Sequence, residues 1–406
     1  MEFRFASRMS QFTSSAVRDI LKLTQGRDII SFSGGLPAEE LFPAEELKNA
    51  FSRVFADRRV MQYGLTEGLP ELRLLLSQRL SRKWIQAGPD HLLITSGSQQ
   101  SIDLTARILL EPGDLVITEN PTYLAALQVF QSSGARILGL DTDENGIRPD
   151  LLEAALRDHR PKLLYVIPTF ANPTGAIWSL ERRQEVLALC TRYETMILED
   201  DPYGELSFEA EALPPSIKAL ADAAGFPGVI YTSTFSKTVV PALRIGWAAA
   251  DEAVIRQLAK AKQTADLHSS CLDQAALAEL LKTFDLDGHI RRIRLEYAAR
   301  MQVMLEILRT DPAFGEITVR TPKGGMFLWL ELPGEVDMGA LLRLAVEEGV
   351  AFVPGTGFHT DGRGSRTIRL NFSHSAPEVI REGMLRLKRA YIRCRSSSGT
   401  EAATIS

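Results

Sequence analysis

The stretch TSTFSKTVVPALRIGW (232–247) carries an amine placed for covalent chemistry. Lys237 stands just past a strand-like run, between hydroxyl residues, and Arg244 follows seven positions on. An amine in that setting forms a Schiff base with a carbonyl. Thr234, Ser236 and Arg244 offer hydroxyls and a guanidinium fork that match the oxygens of a phosphate. The same residues read equally as a solvated loop with two surface cations.

Three further stretches could do chemistry. In LLITSGSQQSIDL (92–104) a strand runs through Ser-Gly-Ser into a helix. Backbone N–H groups and the helix dipole make such a junction an anion site, although an ordinary N-cap by Ser98 explains it as well. In PTFANPTGAIW (168–178) an N-P-T-G turn follows a strand. That is often only a turn, but it puts Asn172 at the carboxyl end of a sheet strand, where open α/β sheets bind ligands. In LEDDPYGEL (198–206) acidic residues end a strand without a histidine nearby. Asp200 reads either as part of a metal site or as the partner of a protonated ring nitrogen.

The elements that must hold these residues are legible as periodicity. Strands are expected at 92–95, 115–118, 136–140, 162–167, 196–200, 229–233 and 244–249. Helical periods lie between most of them, as at 99–110 and 181–193. Continuous apolar strands separated by helices mean a mostly parallel sheet covered on both faces. Only about ten residues, including Pro241, join the last two strands. A parallel crossover needs a dozen or more, so the last strand is expected to run antiparallel. The stripe Ile293, Tyr297, Met301, Met304 and Leu308 predicts an amphipathic helix over 290–309 bridging to a second domain. Strands at 316–320, 325–332, 351–355 and 367–372 build that domain. A final helix is expected to begin at Ser375, with Glu378 closing a capping box. After Arg395 the tail is small and polar and reads as disordered.

Composition narrows the function classes. The chain has 406 residues, 45% hydrophobic and 24% charged, with a formal charge of −5. A pI near 5.8 argues against an electrostatic nucleic-acid binder. Three cysteines without metal spacing point to a reduced, cytoplasmic compartment. The N-terminus lacks the apolar run of a signal peptide, and no stretch approaches the roughly 20 residues of a membrane helix.

Taken in order, the Ser-Gly-Ser cradle, N-P-T-G, D-x-x-Y and S-K-x-x-x-P-x-x-R resemble the class I/II aminotransferases, pyridoxal-phosphate enzymes of fold type I. The resemblance runs from about Ile30 to Tyr391. It looks closest to the 2-aminoadipate and kynurenine-type subgroup, through SFSGGLPAEELFP (31–43), QYGLTEGLPELR (62–73) and SGSQQSIDL (96–104). It implies an α/β fold with a large, mostly parallel sheet domain holding one antiparallel strand, and a smaller α+β domain. The implied division is an N-terminal arm and lid helix joining the small domain (1–40), a large cofactor domain (41–288), a small domain (289–395) and a tail (396–406).

Carried over position by position, Lys237 resembles the Schiff-base lysine and Asp200 the carboxylate that keeps the pyridine nitrogen protonated. Asn172 and Tyr203 resemble the donors to the ring 3-oxygen, and Tyr123 the aromatic stacked on the ring. Ser98, Gln99, Thr234, Ser236 and Arg244 resemble the phosphate cup, with Thr234 where serine is more usual. Tyr63 resembles the tyrosine that reaches the neighbouring subunit's phosphate, which implies a homodimer with shared sites. Arg369 resembles the arginine that grips the substrate α-carboxylate, with Gly35 and Asn172 beside it. The implied reaction moves an amino group from an L-amino acid to a 2-oxo acid, 2-oxoglutarate first, with Lys237 carrying the proton from Cα. The segment 13–25 reads as a helix; the subgroup resembled implies that it is a mobile lid whose Arg18 pairs with a distal carboxylate or swings away, admitting 2-aminoadipate or glutamate as well as leucine-like and aromatic donors, although Arg18 reads also as a solvated helix residue paired with a nearby acid. A lyase on the same scaffold is the nearest rival, although Arg369 disfavours decarboxylation. A regulator-type binding domain is another, against which stand the acidic pI and the roughly 30 residues before the first family motif.

Overall fold

The computed structural model describes residues 3–6, 9, 28–209, 213–334 and 336–402, with no side-chain detail beyond Ser396. Fourteen strands are found among them. In chain order they are β1 (Ile30–Ser31), β2 (Leu92–Thr95), β3 (Leu115–Asn120), β4 (Arg136–Asp143), β5 (Gly146–Ile147), β6 (Leu163–Val166), β7 (Met196–Asp200), β8 (Val229–Thr234), β9 (Gly246–Ala249), β10 (Thr318–Val319), β11 (Phe327–Glu331), β12 (Val350–Ala351), β13 (Val353–Pro354) and β14 (Thr367–Asn371).

The large sheet has the order β2-β9-β8-β7-β6-β3-β4-β5. The pairs β8·β7, β7·β6, β6·β3 and β3·β4 are parallel, while β9 is antiparallel to both β8 and β2. The short link through Pro241 therefore reverses the chain as its length requires. A second reversal, the two-residue β5 folding back on β4, escaped the sequence reading because its apolar run is too short to register.

Alternation along the strands sends side chains to two cores. Leu93, Tyr165, Leu198, Ile230 and Ala248 pack with residues of the helices Ser98–Leu109, Leu124–Ser132 and Glu252–Ala265. Leu164, Val166, Ile197 and Val229 pack on the other face with residues of Pro149–His159, Leu180–Arg192 and Ile217–Ala224. This double coverage is why those strands carry no polar alternation.

The second sheet is antiparallel, in the order β10-β11-β14-β13. The expected strand at 351–355 is split: β12 pairs with β1, then β13 pairs with β14. The buried Phe352 lies between the two pieces. The bridging helix runs Leu286–Thr310, with the Asp285 carboxylate accepting from the Gly288 N–H at its start. All five stripe residues join the core formed with Leu328, Leu330, Ile368 and Leu370. Buried Arg300 on this helix pairs with Glu296 and Glu40 and donates to the Ser373 carbonyl, while the Tyr297 hydroxyl accepts from the Ala38 N–H. The segment after β1 is thereby fastened to the bridging helix.

The C-terminal helix corrects two expectations. It spans Pro377–Ala402. The Ala376 carbonyl accepts from the Ile380 N–H, so Ser375 lies outside the helix and Pro377 fills its first position, where a missing N–H costs nothing. The helix also continues past Arg395 through 396–402, the stretch read as tail, because extending a formed helix fixes one residue per added bond. The lid segment 13–25, with Arg18, lies outside the described residues. Among the described residues no helix is long and apolar enough to cross a membrane.

Burial along the bridging helix predicts two contrasting outcomes. Met304 is 0% exposed, and Met304→Ala should lower the urea unfolding free energy by about 2–5 kcal/mol. Leu295 is 75% exposed, and Leu295→Ala should change it by no more than about 0.5 kcal/mol.

Candidate functional site

The four chemistry-bearing stretches meet in one cavity. It is lined by Ser98, Gln99, Tyr123, Asn172, Asp200, Tyr203, Thr234, Ser236, Lys237 and Arg244, with Gly97, Ile167, Pro202 and Pro241 completing the wall. It opens where β2, β6, β7 and β8 end, as expected of an open α/β sheet.

One end is an anion cup. Gly97 has φ +81°, and a Cβ there would stand 2.5 Å from an Arg244 terminal nitrogen. Gly246 on β9 is as constrained, since its Cβ would fall 2.6 Å from the Gly97 carbonyl carbon and the Ser98 nitrogen. These two glycines let the turn after β2 close onto β9 and onto Arg244. Arg244 takes φ +53° and donates to the Ser96 carbonyl at 3.2 Å and the Ser236 hydroxyl at 3.4 Å. The Thr234 hydroxyl accepts from the Ser236 N–H at 3.1 Å. Ser98 is not an N-cap: Gly97 holds that position without a side-chain bond, and Ser98 is the first helical residue. The helix N-terminus is thus left facing the cup.

At the other end Asp200 closes β7 and is 2% exposed. Its Oδ2 accepts from the Tyr165 hydroxyl at 2.8 Å, whereas Oδ1 is buried without a partner. Burial pushes this carboxyl up to about 7; the Tyr165 hydrogen bond pulls the other way. Between the two ends lies Lys237, whose Nζ donates to the Gly35 carbonyl at 2.8 Å. Burial first, then the charges of Arg244 and Arg369, push its amine down to about 8. Tyr123 donates to the Gln99 side-chain oxygen at 3.2 Å, and burial raises its phenol to about 12.

Arg369 comes from β14 of the second sheet and is 2% exposed. It donates to Asn172 Oδ1 at 2.8 Å and to the Ser33 carbonyl at 2.7 Å, while its Nε has no partner. The guanidinium lies 4.2 Å from the ring centre of Phe327 and 4.9 Å from that of Phe358. Asn172 also bonds Tyr203, whose ring meets Phe327 edge-on. Gly35 is wedged in the same place: a Cβ there would stand 3.0 Å from the Phe327 ring.

Tyr63 is not brought into this cavity. It is 79% exposed, with its ring edge-on to His268 at 5.8 Å. The sequence reading missed Tyr165, Ser33, Phe327 and Phe358. For Tyr165 a signal existed, since a lone hydroxyl on a fully buried strand must find a partner. Ser33 acts through its carbonyl, which no residue type announces.

These residues fit pyridoxal phosphate, the group that the resemblance implies. The cup offers cation, hydroxyls and helix terminus to a dianion. The partnerless Asp200 Oδ1 matches a protonated ring nitrogen, and an amine of lowered basicity stands between. Among the described residues no three His, Cys, Asp or Glu side chains are grouped to hold a metal.

The chain is similar to known proteins over nearly its whole length. A family model described as aminotransferase class I and II matches residues 27–387. The 2-aminoadipate transaminase of Thermus thermophilus is 42% identical over 389 residues, 95% of this chain and 96% of its own. The aromatic-amino-acid aminotransferase 1 of Thermococcus litoralis is 38% identical over 391 residues, 94% of this chain and 93% of its own. Among solved structures, the α-aminoadipate aminotransferase LysN of Thermus thermophilus, complexed with N-(5′-phosphopyridoxyl)-L-leucine, aligns with a TM-score of 0.90. It is 40% identical and the alignment covers 97% of this chain and 98% of that one.

The lowered amine of Lys237 has a measurable consequence for the cofactor-free protein. Its proton leaves near pH 8 when folded and near 10.5 when unfolded. Between those values the unfolded chain binds more protons, so this group makes stability rise with pH. Lys237→Met should therefore be more stable than wild type below pH 8, and the difference should shrink towards pH 10.5. Unfolding midpoints at both ends of that window check it; a constant difference would mean the amine keeps its ordinary basicity.

Proposed function

The chain belongs to the class I and II aminotransferases, and on that premise we propose that it transfers the amino group of 2-aminoadipate, leucine-like or aromatic L-amino acids to a 2-oxo acid, with 2-oxoglutarate as the acceptor. The observation that carries the reading is the buried, partnerless Asp200 Oδ1 in one cavity with Lys237 and the anion cup. The donor range rests on the relatives, one named for 2-aminoadipate, one for aromatic amino acids and one solved with a leucine adduct. Arg18, which would meet a distal carboxylate, lies outside the described residues.

Pyridoxal phosphate, when bound, supplies the electron sink for chemistry at Cα. The protein's own groups supply position and protons. Thr234, Ser236, Arg244 and the helix beginning at Ser98 would hold its phosphate, together with Gln99. Tyr123 would cover the ring, and Asn172 and Tyr203 would donate at its 3-oxygen. Asp200 would hold the proton on the ring nitrogen. Lys237 Nζ takes the proton from the donor's Cα, a role that suits an amine already shifted towards its neutral form. Arg369 exchanges its neutral partners, the Asn172 amide and the Ser33 carbonyl, for the substrate carboxylate.

Lys237→Ala should abolish transamination with every donor in a panel of 2-aminoadipate, glutamate, leucine and phenylalanine. It should also abolish covalent capture of the cofactor by borohydride, read by mass spectrometry, while the cofactor still binds. Turnover within about tenfold of wild type would hand the amine's role to another lysine.

The same reading makes the protein a cytoplasmic homodimer in which Tyr63 serves the partner's phosphate. In support, Tyr63 stands exposed beside Met61 and Leu65, also exposed, in a run that its own cavity does not use. Sedimentation should show a dimer at assay concentration, and Tyr63→Phe should loosen cofactor binding by about tenfold without dissociating it. A fully active monomer would defeat this.

A further inference from the structure

We propose that Tyr165 is the positioning residue of the site: its hydroxyl fixes which Asp200 oxygen faces the cofactor ring and keeps that carboxylate ionised. The inference rests on the reading that Asp200 meets the ring nitrogen, and adds a residue outside the cavity wall.

The two oxygens of Asp200 are unequal. Oδ2 is committed to the Tyr165 hydroxyl at 2.8 Å, and Oδ1 is buried without a partner. Tyr165 cannot move to serve the other oxygen. It stands on β6, opposite Thr118 of β3 on one side and Leu198 of β7 on the other. It is 0% exposed, and its ring meets Phe130 edge-on at 5.6 Å. A carboxylate on a strand end would otherwise turn about χ2, whose preference is broad. With one oxygen pinned, the lone pairs of the other keep one direction.

The same bond acts on charge. A buried carboxylate tends to take up a proton, and a protonated Asp200 cannot hold a ring-nitrogen proton. The groups whose charges or dipoles face this pair are few. Asp201 raises Asp200 further, although its own side chain is engaged by the Tyr231 hydroxyl and the Gly204 N–H. Tyr123 and Tyr203 are neutral phenols, and Glu119 is spent on the Ile167 N–H and the Trp178 indole. Lys237 donates instead to the Gly35 carbonyl, and Arg369 to Asn172 and the Ser33 carbonyl. Tyr165 is the one side chain among the described residues that donates directly to Asp200. Burial and the nearby Asp200 charge hold its own proton firmly, so it stays a neutral donor. Removing its hydroxyl leaves both oxygens unpaired and favours the protonated acid.

The test uses Tyr165→Phe, which keeps the ring and loses one oxygen, with Phe130→Leu as a control that loosens the same packing and keeps the hydroxyl. Each protein is reconstituted with pyridoxal phosphate and, separately, with its 1-deaza analogue, in which carbon replaces the ring nitrogen. Wild type should prefer pyridoxal phosphate. Tyr165→Phe should lose about 10- to 100-fold of that preference and a similar factor in kcat, with the donor KM little changed and the acidic limb of the pH–rate profile displaced upward. Phe130→Leu should lose thermal stability and keep both the preference and the profile. Unchanged preference and profile in Tyr165→Phe would reduce Tyr165 to packing and overturn the proposal. An absence of preference in wild type would instead overturn the pairing of Asp200 with the ring nitrogen, and this proposal with it.

Discussion

A carboxylate that is 2% exposed is unfavourable wherever it sits, and Asp200 sits at the end of a strand with parallel neighbours on both sides and no cation bonded to it. The structure compensates it with one neutral phenol, the Tyr165 hydroxyl, while the amine of Lys237 and the guanidinium of Arg369 make their bonds to other groups. Those cations are themselves buried and crowded: Lys237 is pushed down by Arg244 and Arg369 as well as by burial. β7 brings Asp200, β8 leads into Lys237, and β9 turns back to follow Arg244, so three adjacent strands carry acid, amine and anion cup.

The sequence made the large sheet legible because double burial removes polar residues from its strands. Leu92–Thr95 and Met196–Asp200 have the bounds that the sequence pattern predicts. The reversal of β9 followed from chain length alone. What stayed hidden was short or cooperative. The hairpin strand β5 has two residues, and the split of β12 from β13 reflects a choice of partner that no local pattern encodes. Ser375 and Glu378 spelled a capping box, but Pro377 is best placed at the first helical position, so the helix starts there.

The candidate site was legible where residue type carries the chemistry, as with Lys237, Asp200, Asn172 and Arg244, which line one cavity, and Arg369, which is bonded to Asn172. It was not legible where backbone does the binding. The Ser33 and Gly35 carbonyls hold Arg369 and Lys237, and any residue at position 33 presents the same oxygen. Tyr165 was hidden for another reason: on an apolar strand it counts as hydrophobic, and its hydroxyl matters only once β6 and β7 are paired in register.

Under the proposed function, those two carbonyls also bear on how substrate binds. Ser33 and Gly35 follow β1, which pairs with the small β12, and the segment is tied to the bridging helix through Ala38, Glu40 and Arg300. One segment therefore meets both Lys237 and Arg369. Its oxygens are neutral, and so is the Asn172 amide that shares Arg369. A hydrogen bond between charged partners is roughly twice as strong as a neutral one. An incoming carboxylate can therefore displace Ser33 and Asn172 from Arg369, whereas a salt-bridged arginine would have to surrender a full ion pair. The Phe327 and Phe358 rings beside the guanidinium keep it in place during that exchange without competing for its N–H groups. On that reading, neutral partners hold the cations in readiness, and the charge of the ligand decides when they let go.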